Sequence, residues 1–581
     1  MMRRNGFSLP LFVFCGLLAA GLFLVAANGR GHLAAGGPTA LGSSPSLCKK
    51  PSFTSTQPRG LFGLGRAAQT PRRTVRRFAV DVQPVVEAQP DQKSVWVDRH
   101  SQTKMIATVG PSTRNEEMIE AMWQGGADVF RVPMCYSSHE DAREGINLIR
   151  KIEARHGSTI GVLMDLQGPK LRIGEFKDGS VAVEEGQRFV LDLKEEVGDN
   201  TRVSFPYAKV FPYMTPGSVI PLGGGRVNAR VMATSMEETV LEIVRGGRLS
   251  TNDRVNIPKV HLPYRALTDQ DVKDIEFGLE MGVDWIALSC VRTKEDVIEA
   301  KRLVGNNAFI MAKIETSVDA GELSEIIKEA DAVMVARGDL GVDTNVESVP
   351  PMQKAIIAEC KQKGTPVVVS TQMLDSMIFA PTPTRAEASD VANAIYDGAD
   401  ALMLSAETAS GSYPLEAVDT MEDIIKAVEQ SDEYKKRMDS DVSRYPPNEN
   451  YALVTAARQI ARDVSASAIV CFSSYGRIPR QVARERTTQP VLTLSEDVKT
   501  ARMLNLVWGV YPVHVPGLSY EEFSFDEVLG KAKETSLEQG LAKQGDMVVV
   551  LASKPGADEV RRCSWMLLDA FGCFWMLLDA F

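Results

Sequence analysis

Eight short apolar runs between residues 104 and 407 constrain the fold of this chain more than any other feature of its sequence. Runs that are apolar on consecutive residues are typical of strands buried on both faces, and strands that alternate with helices pair in parallel. Segments such as Arg114–Trp123 and Met352–Lys363, which separate the runs, carry apolar residues at helical spacing. The runs are Met105–Val109, Asp128–Val132, Gly161–Asp165, Trp285–Ser289, Phe309–Lys313, Ala332–Ala336, Pro366–Ser370 and Ala401–Ser405.

Eight strand–helix units predict an α/β fold, a closed (β/α)8 TIM barrel whose active site lies at the carboxyl ends of its strands. A doubly wound sheet is the weaker alternative, because no glycine-rich dinucleotide loop follows the first run. We assign the barrel to residues 101–174 and 262–415.

Between the third and fourth runs the chain contains about 120 residues, which is too long for a loop. Segments there, such as Arg188–Leu193 and Thr239–Val244, alternate apolar and polar residues. This pattern predicts an inserted all-β domain, a small β-barrel at residues 175–261.

The part of the chain after the barrel predicts a C-terminal α/β domain at residues 416–562. A long helix is expected at Glu416–Lys436 and a linker at Ser440–Asn450. Strands are expected at Ala468–Phe472, Pro490–Leu494, Val510–Val515 and Met547–Leu551. Residues 563–581 form an atypical apolar tail, in which Trp565–Phe571 and Trp575–Phe581 have the same seven-residue sequence.

Each predicted barrel strand ends in polar residues, and together they indicate a common site. They are Thr108 with Pro111, Arg131, Asp165, Ser289, Lys313 with Glu315, Arg337 with Gly338 and Asp339, Thr371, and Ser405 with Glu407. A single such residue is usually a solvated strand end, but polar groups at the ends of all eight strands favour a catalytic site.

Lys313 and Glu315 are two residues apart, so both side chains point to the same face of an extended strand. They suit either a structural salt bridge or a catalytic pair. The next strand supplies Asp339, and two carboxylates on neighbouring strands suit a hard divalent cation such as Mg²⁺ or Mn²⁺. None of the six histidines is near these acids in sequence, which argues against zinc. Lys313 would stabilise a phosphoryl group or an enolate, and amides near Gly338 would hold an anion if a helix begins there.

Several longer motifs make the resemblance of this chain to the pyruvate kinase family specific, and the resemblance covers residues 101–555. The motifs are Thr103–Pro111, Asp165–Arg172, Ile310–Glu315, Ala336–Gly341, Ser370–Leu374, Pro383–Glu387 and Met403–Ala409. The resemblance implies phosphoryl transfer from phosphoenolpyruvate to ADP in glycolysis, giving pyruvate and ATP. It also implies a homo- or hetero-tetramer.

The resemblance further implies roles for individual residues. Glu315 and Asp339 would hold the divalent ion, and Lys313, Arg131, Thr371 and Ser405 would be catalytic. Substrate would contact Arg131, Lys313, Gly338, Asp339, Thr371 and Ser289. The nucleotide would contact Thr108, Pro111 and Arg131.

This chain departs from the family pattern at three places. Pro133, Cys135 and Tyr136 stand where the family has Asn, Ser and His, so the monovalent-cation and nucleotide contacts change. Gly223–Gly225 replaces an Asp-Asp-Gly turn, and Asn252–Asn256 alters a basic pair before Gly-Val-Asn.

The departures leave alternatives open. Lys170 stands where potassium-dependent relatives have an acid, so its ammonium, with Asp165, is expected to replace K⁺. No replacement is evident on the nucleotide side, so one alternative is a weakly active or non-catalytic subunit that binds phosphoenolpyruvate and metal. A lyase that uses a phosphoenolpyruvate or pyruvate enolate is a further alternative, which the motifs around Thr371 and Ser405 disfavour.

The amino-terminal 80 residues contain eleven Lys and Arg residues and no acid. Residues 1–27 are typical of a signal peptide and residues 28–80 of a transit peptide, which together predict import into a plastid. Another organelle, the secretory pathway and a retained membrane anchor are the alternatives. Without those eleven cations, the net charge of −10 becomes −21 for residues 81–581. Such an acidic body disfavours nucleic-acid binding and, in the mature form, membrane binding.

Overall fold

The computed structural model describes residues 101–258, 260, 264–440, 449–518, 525–553, 563–569 and 572–574. The predicted signal and transit peptides lie outside these residues, as do most of the predicted linker and the second copy of the seven-residue repeat. No helix in the described part of the chain is long and apolar enough to cross a membrane.

Eight parallel strands form a closed barrel, which confirms the predicted fold. The order around the barrel is β1, β15, β14, β13, β12, β11, β3, β2. Every predicted run contains one strand, with ends within one residue of the prediction. The strands are β1 (Lys104–Thr108), β2 (Val129–Pro133), β3 (Gly161–Asp165), β11 (Trp285–Leu288), β12 (Phe309–Ile314), β13 (Ala332–Ala336), β14 (Val367–Ser370) and β15 (Ala401–Leu404).

Helices surround the barrel, and alternate residues of its strands belong to two apolar clusters. Met105 and Ala107 pack with the helices, whereas Ile106, between them, points into the barrel interior. Asn115, Ser138, Thr268 and Thr384 accept hydrogen bonds from backbone amides at helix N-termini, which fixes where these helices start. The helices are α1 (Glu116–Gly125), α2 (His139–His156), α3 (Asp269–Glu280), α4 (Lys294–Val304), α5 (Ala320–Glu329), α6 (Arg337–Asp343), α7 (Val349–Lys363), α8 (Arg385–Asp397), α9 (Ala406–Ala409) and α10 (Pro414–Glu429). Single 3₁₀ turns occupy Phe211–Tyr213, Val346–Ser348 and Asp375–Ile378.

Helix α10 belongs to the barrel, although the sequence places the domain boundary at residue 415. Its buried residues Ala417, Val418 and Met421 pack in the same apolar cluster as the barrel helices. The predicted long helix Glu416–Lys436 is also interrupted, and a second helix, α11 (Asp432–Ser440), follows. Ser431 causes the break, because its hydroxyl donates to the Val428 carbonyl and accepts from the Tyr434 amide.

The inserted domain is all-β as expected, but its strands form two sheets instead of a closed ring. A five-stranded sheet has the order β6, β5, β9, β8, β7, and β4 pairs only with β10. The edge strands β6 and β7 do not pair with each other, so the predicted barrel does not close. The strands are β4 (Ser180–Val183), β5 (Arg188–Asp192), β6 (Arg202–Ser204), β7 (Val219–Leu222), β8 (Val227–Thr234), β9 (Glu238–Arg245) and β10 (Gly247–Ser250).

The C-terminal domain contains a sheet with the order β18, β17, β16, β19, β20, β21. Its first four strands are parallel, and β20, which includes most of the first copy of the repeat, pairs antiparallel to β19. The sheet therefore continues into residues 563–581. The elements are α12 (Glu449–Asp463), β16 (Ala468–Phe472), α13 (Arg477–Arg484), β17 (Val491–Ser495), α14 (Val498–Leu504), β18 (Val510–His514), α15 (Phe525–Glu538), β19 (Val548–Ser553), β20 (Cys563–Asp569) and β21 (Gly572–Phe574).

Candidate active site

Asp165 is the centre of a buried charge network at the carboxyl ends of the barrel strands. Its Oδ1 accepts from the Lys313 ammonium at 2.9 Å, and its Oδ2 accepts from Arg131 Nε at 2.8 Å. Lys313 also donates to the Ser289 hydroxyl at 2.9 Å. Strands β2, β3 and β12 thus bring two cations onto one carboxylate, as expected when parallel strands end on the same rim.

The charges of this network stabilise one another. Burial opposes ionisation of Asp165, but Lys313, Arg131 and Lys170 outweigh it and hold the pKa of this carboxyl below its usual range. Burial would also lower the pKa of Lys313, but Asp165 and Glu315 raise it above that of an ordinary lysine. Lys313 is therefore a permanent cation at physiological pH, although it is 5% exposed.

Glu315 and Asp339 lie beside this network and share one cation. The Lys170 ammonium is 3.5 Å from Glu315 Oε1 and 3.5 Å from Asp339 Oδ2. Glu315 Oε1 is also 2.9 Å from the Lys313 ammonium, and its Oε2 accepts from the Cys290 backbone amide and thiol, each at 3.1 Å. The Arg254 guanidinium donates to Asp339 Oδ1.

These two carboxylates fit a magnesium site. Burial opposes ionisation of Glu315, but Lys170, Lys313 and Arg254 hold its pKa well below the usual range. The Glu315 carboxyl is therefore ionised. Two carboxylates near one cation, on neighbouring strand ends, are the protein ligands expected of Mg²⁺, which keeps several waters and takes further oxygens from substrate. The described residues contain no cluster of three or more His, Cys, Asp or Glu side chains suited to a metal. Two carboxylate groups alone suit a hard ion that also takes oxygens from substrate and water.

The segment after β14 holds Thr371 against Gly338. Thr371 Oγ1 accepts from the Gly338 backbone amide at 2.8 Å and donates to the Ser370 carbonyl at 2.6 Å. As anticipated, a helix, α6, begins at Arg337. The Gly338 amide, however, donates to Thr371 and is not free to bind an anion in this arrangement. Thr371 and Gln372 have φ values of 69° and 54°, and the Arg337 guanidinium donates to both of their carbonyls. This arginine stabilises a backbone conformation that non-glycine residues rarely adopt.

Ser405 and Thr108 lie at the ends of the adjoining strands β15 and β1. The Ser405 amide donates to Glu407 at 2.7 Å, and its hydroxyl is buried without a hydrogen-bond partner among the described residues. Thr108 donates to the Leu404 carbonyl at 2.8 Å and accepts from Arg131 at 3.3 Å. Pro111 is exposed in the loop after β1. The predicted nucleotide-contacting residues Thr108 and Arg131 are therefore together, and Pro111 lies at the surface nearby in the chain.

The altered segment starts at Pro133, the last residue of β2, and its residues differ in exposure. Pro133 and Met134 are buried, Cys135 is partly buried, and Tyr136 is 81% exposed. Burial raises the pKa of the Cys135 thiol and the Asp165 charge adds to this effect, so the thiol stays protonated. The altered segment thus places Cys135 near the charge network around Asp165 and the Tyr136 side chain at the surface.

The turn Gly223–Gly225 contacts the segment around Arg254, where the chain leaves the inserted domain and returns to the barrel. All three glycines have positive φ values, which favours glycine at each position. The Gly223 amide donates to the Arg254 carbonyl at 2.8 Å. The turn that lacks the family's acids thus positions an arginine backbone.

Sequence reasoning assigned no role to three residues of the site, Arg254, Cys290 and Arg337, although it noted Arg337 among the polar residues at the strand ends. Arg254 lies within the altered segment Asn252–Asn256, but its partner Asp339 is 85 residues away and no local pattern links them. Cys290 directly follows Ser289, and its positive φ of 56° is not foreseeable for a cysteine. Arg337 opens the motif that contains Asp339, and only the fold shows that it holds the Thr371 segment.

The fold and the site are those expected of one class of enzyme, a (β/α)8-barrel phosphotransferase, because fixed cations lie beside two carboxylates that suit a divalent metal. Residues 100–418 match the family model described as pyruvate kinase, barrel domain, and residues 451–560 match that described as pyruvate kinase, alpha/beta domain. The chain belongs to the pyruvate kinase family.

Individual relatives agree with this assignment. A pyruvate kinase of Agrobacterium vitis is 39% identical over 469 residues, which cover 80% of this chain and 96% of that protein. A pyruvate kinase of Methylorubrum extorquens is 40% identical over 457 residues, which cover 79% and 95%. Pyruvate kinase 2 of Synechocystis is 38% identical over 457 residues, which cover 78% and 76%. The relatives support the prediction that this chain is a pyruvate kinase.

Proposed function

We propose that this pyruvate kinase transfers the phosphoryl group of phosphoenolpyruvate to ADP at the barrel rim around Lys313. The observation that carries the proposal is the convergence of Lys313 and Arg131 on Asp165, beside the carboxylates of Glu315 and Asp339. The transferring phosphoryl group spreads negative charge over its oxygens, so fixed cations lower the barrier more than any covalent group does.

Glu315 and Asp339 would hold Mg²⁺ or Mn²⁺, which supplies charge neutralisation to the phosphate and carboxylate oxygens when bound. Lys313 binds and neutralises the phosphoryl group as it moves, and Asp165 keeps its ammonium in place. Arg131 binds the same group from β2. Ser289 fixes the third side of the Lys313 ammonium, so the cation is oriented before substrate arrives.

Thr371 and Ser405 are proposed to serve the second step, in which the enolate of pyruvate takes up a proton. The Thr371 hydroxyl is held at the strand rim next to Gly338, where an enolate carbon would lie above the barrel. The unpartnered Ser405 hydroxyl and Glu407 lie on the following strand end. These groups would deliver the proton through hydroxyls and water.

We further propose that catalysis needs no K⁺, because Lys170 brings its side-chain cation to the two carboxylates proposed to bind the metal. Its contacts with Glu315 and Asp339 support this proposal. Replacing tetramethylammonium chloride by KCl at constant ionic strength is expected to change kcat by less than about twofold. Lys170→Glu is expected to lower kcat and to create a K⁺ stimulation, and a strong K⁺ stimulation of the unmodified protein would contradict the proposal.

Import into a plastid and assembly into a tetramer remain proposals. Import is supported by the composition of residues 1–80, and fusion of this segment to a fluorescent protein would test it. Light scattering of the purified protein would test the tetramer.

The central experiment measures ADP-dependent formation of pyruvate by the full chain, together with exchange of the pyruvate methyl protons with solvent. The proposal predicts both activities, and it predicts that Glu315→Gln and Lys313→Met lower the first by at least about 10³-fold. Lys301→Met is the matched control, since Lys301 pairs with Asp331 near the surface. Proton exchange without phosphoryl transfer would favour the non-catalytic subunit instead.

A further inference from the structure

Arg254 extends from the inserted domain into the candidate active site. Its backbone is fixed from two sides, since the Gly223 amide donates to its carbonyl and the next amide, of Val255, donates to the Leu171 carbonyl at 3.0 Å. Its side chain lines a cavity of about 270 Å³ together with Lys170, Glu315 and Asp339. The fixed backbone thus anchors the guanidinium at the edge of this cavity.

Both oxygens of Asp339 are already paired with cations. Arg254 binds Oδ1, and the Lys170 ammonium lies 3.5 Å from Oδ2. A divalent ion that binds Asp339 must compete with these cations for the carboxylate, and it repels the guanidinium at contact distance. Lys170 keeps a second partner in Glu315, but every ion pair shown for Arg254 is with Asp339.

An arginine released from Asp339 remains charged and needs a new anion in the same cavity. The planar guanidinium matches phosphate oxygens with two parallel hydrogen bonds. Glu315, Asp319 and Asp343 also line this cavity, but Glu315 would be engaged by the metal, and the phosphate oxygens of a substrate held there would match the guanidinium fork better than a single carboxylate at the cavity wall.

We propose that Arg254 is a phosphate-binding residue that exchanges partners, pairing with Asp339 in the metal-free protein and with phosphate oxygens of the substrate once the metal is bound. This inference rests on the proposed metal site at Glu315 and Asp339. The phosphate belongs either to ADP or to phosphoenolpyruvate. In the first case Arg254 supplies a nucleotide contact on the side where the sequence lacks the family's usual groups.

The exchange has two consequences of opposite sign. Removing the guanidinium removes a competitor of the metal, so metal binding should become tighter. The same change removes a phosphate ligand, so substrate binding should become weaker. A merely structural arginine would weaken both when removed.

The test compares the full-length protein with Arg254→Gln and Arg254→Lys. Electron paramagnetic resonance of free Mn²⁺ measures metal affinity, and calorimetry at saturating Mn²⁺ measures the affinities of ADP and phosphoenolpyruvate separately. We expect Arg254→Gln to bind Mn²⁺ about 3- to 10-fold more tightly and one of the two phosphate ligands about 10-fold more weakly. Arg254→Lys should restore part of both effects. The ligand that is weakened identifies the source of the phosphate.

Arg202→Gln is the matched control, because Arg202 forms an ion pair with Asp192 in the same inserted domain, away from the cavity. Unchanged or weaker Mn²⁺ binding by Arg254→Gln, or unchanged affinity for both phosphate ligands, would overturn the inference. Failure of the proposed metal site is distinguishable, since Glu315→Gln would then leave the Mn²⁺ affinity of the otherwise unmodified protein unchanged.

Discussion

At the scale of single residues, Lys313 shows why the site needs several acids. A buried ammonium alone would lose its proton or destabilise the fold, because burial disfavours its charge. Asp165, Glu315 and Ser289 all lie 2.9 Å from it, and the two carboxylates raise its pKa instead. The cation is thus fixed and charged before the phosphoryl group arrives, which is the condition for electrostatic catalysis.

Lys361, in the last turn of α7, has a pKa that is lowered, not raised. Burial lowers its pKa and the nearby Arg486 lowers it further, to about 8. Its proton is bound more weakly in the folded than in the unfolded state. Stability attributable to this residue is therefore lowest below pH 8, rises between about pH 8 and 10.5, and is then constant.

We accordingly expect Lys361→Met to raise the free energy of unfolding at pH 7 by about 2 kcal/mol or less, since the variant removes a buried cation. The advantage over the unmodified protein should shrink as pH rises from 8 to 10.5. Urea unfolding of both proteins across this range measures it. Lys363→Met, at an exposed pair with Glu359, is the control and should show no such trend. If the gain in unfolding free energy were the same at every pH, the lowered pKa of Lys361 would not be its cause.

At the scale of elements, the segment after β14 depends on an arginine of α6. Arg337 donates to the Thr371 carbonyl at 2.6 Å and to the Gln372 carbonyl at 3.2 Å, and it pairs with Asp390 of α8 at 2.6 Å. Both carbonyls belong to residues with positive φ, so the guanidinium compensates for an unfavourable backbone. Arg337 acts through Thr371 and is a positioning residue.

Arg337→Gln is therefore expected to lower kcat and the proton exchange of pyruvate by about 10- to 100-fold, because it would misplace the Thr371 hydroxyl that we propose takes part in proton transfer. The affinity for Mn²⁺, measured by electron paramagnetic resonance, should change by less than about twofold. Arg337→Lys keeps the charge but not the planar fork, so its activity should lie between the two. Loss of Mn²⁺ binding in Arg337→Gln would instead indicate collapse of the whole rim.

The elements also show what the sequence can and cannot predict. The barrel strands were predictable because a run such as Ala332–Ala336 is buried on both faces and apolar throughout, so its local pattern determines its structure. Lys313 and Glu315 were predictable as a pair because strand periodicity places them on one face. The pairing of Arg254 with Asp339 was not predictable, since it depends on how the inserted domain meets the barrel. The break at Ser431 was missed because a serine hydroxyl competes with the helix through contacts that apolar spacing does not reveal.

At the scale of the whole molecule, the barrel and the C-terminal domain share apolar packing. Barrel-interior residues such as Ile106 and Trp285 belong to the same cluster as Ile469 and Val549 of the C-terminal sheet. Trp508, between α14 and β18, packs in the cluster formed by the barrel helices. Sequence spacing predicts the barrel and the C-terminal domain as separate units. The packing between them depends on side chains that are far apart in the chain.

Glu153 of α2 makes a polar contact between the barrel and the C-terminal domain. It is 8% exposed and accepts from Arg502 Nε of the C-terminal domain at 2.8 Å. It also accepts from Arg150 at 3.3 Å and from the Ile160 amide at 2.9 Å. One carboxylate thus contacts two arginines at the junction of the two domains, and Arg150 also pairs with Asp284 at 2.7 Å.

Glu153→Gln should therefore destabilise both domains together by about 2–4 kcal/mol, because it leaves two partly buried guanidinium groups with less compensation. Hydrogen exchange at increasing urea measures this, with peptides from β13 reporting on the barrel and peptides from β16 on the C-terminal sheet. Both should exchange at a lower urea concentration than in the unmodified protein, and by the same shift. Glu433→Gln, which removes an exposed pair with Arg437, should shift neither, since such pairs contribute about 0.5 kcal/mol. Earlier exchange of β16 while β13 keeps its protection would show that the domains unfold independently, and the shared packing would then not couple their stabilities.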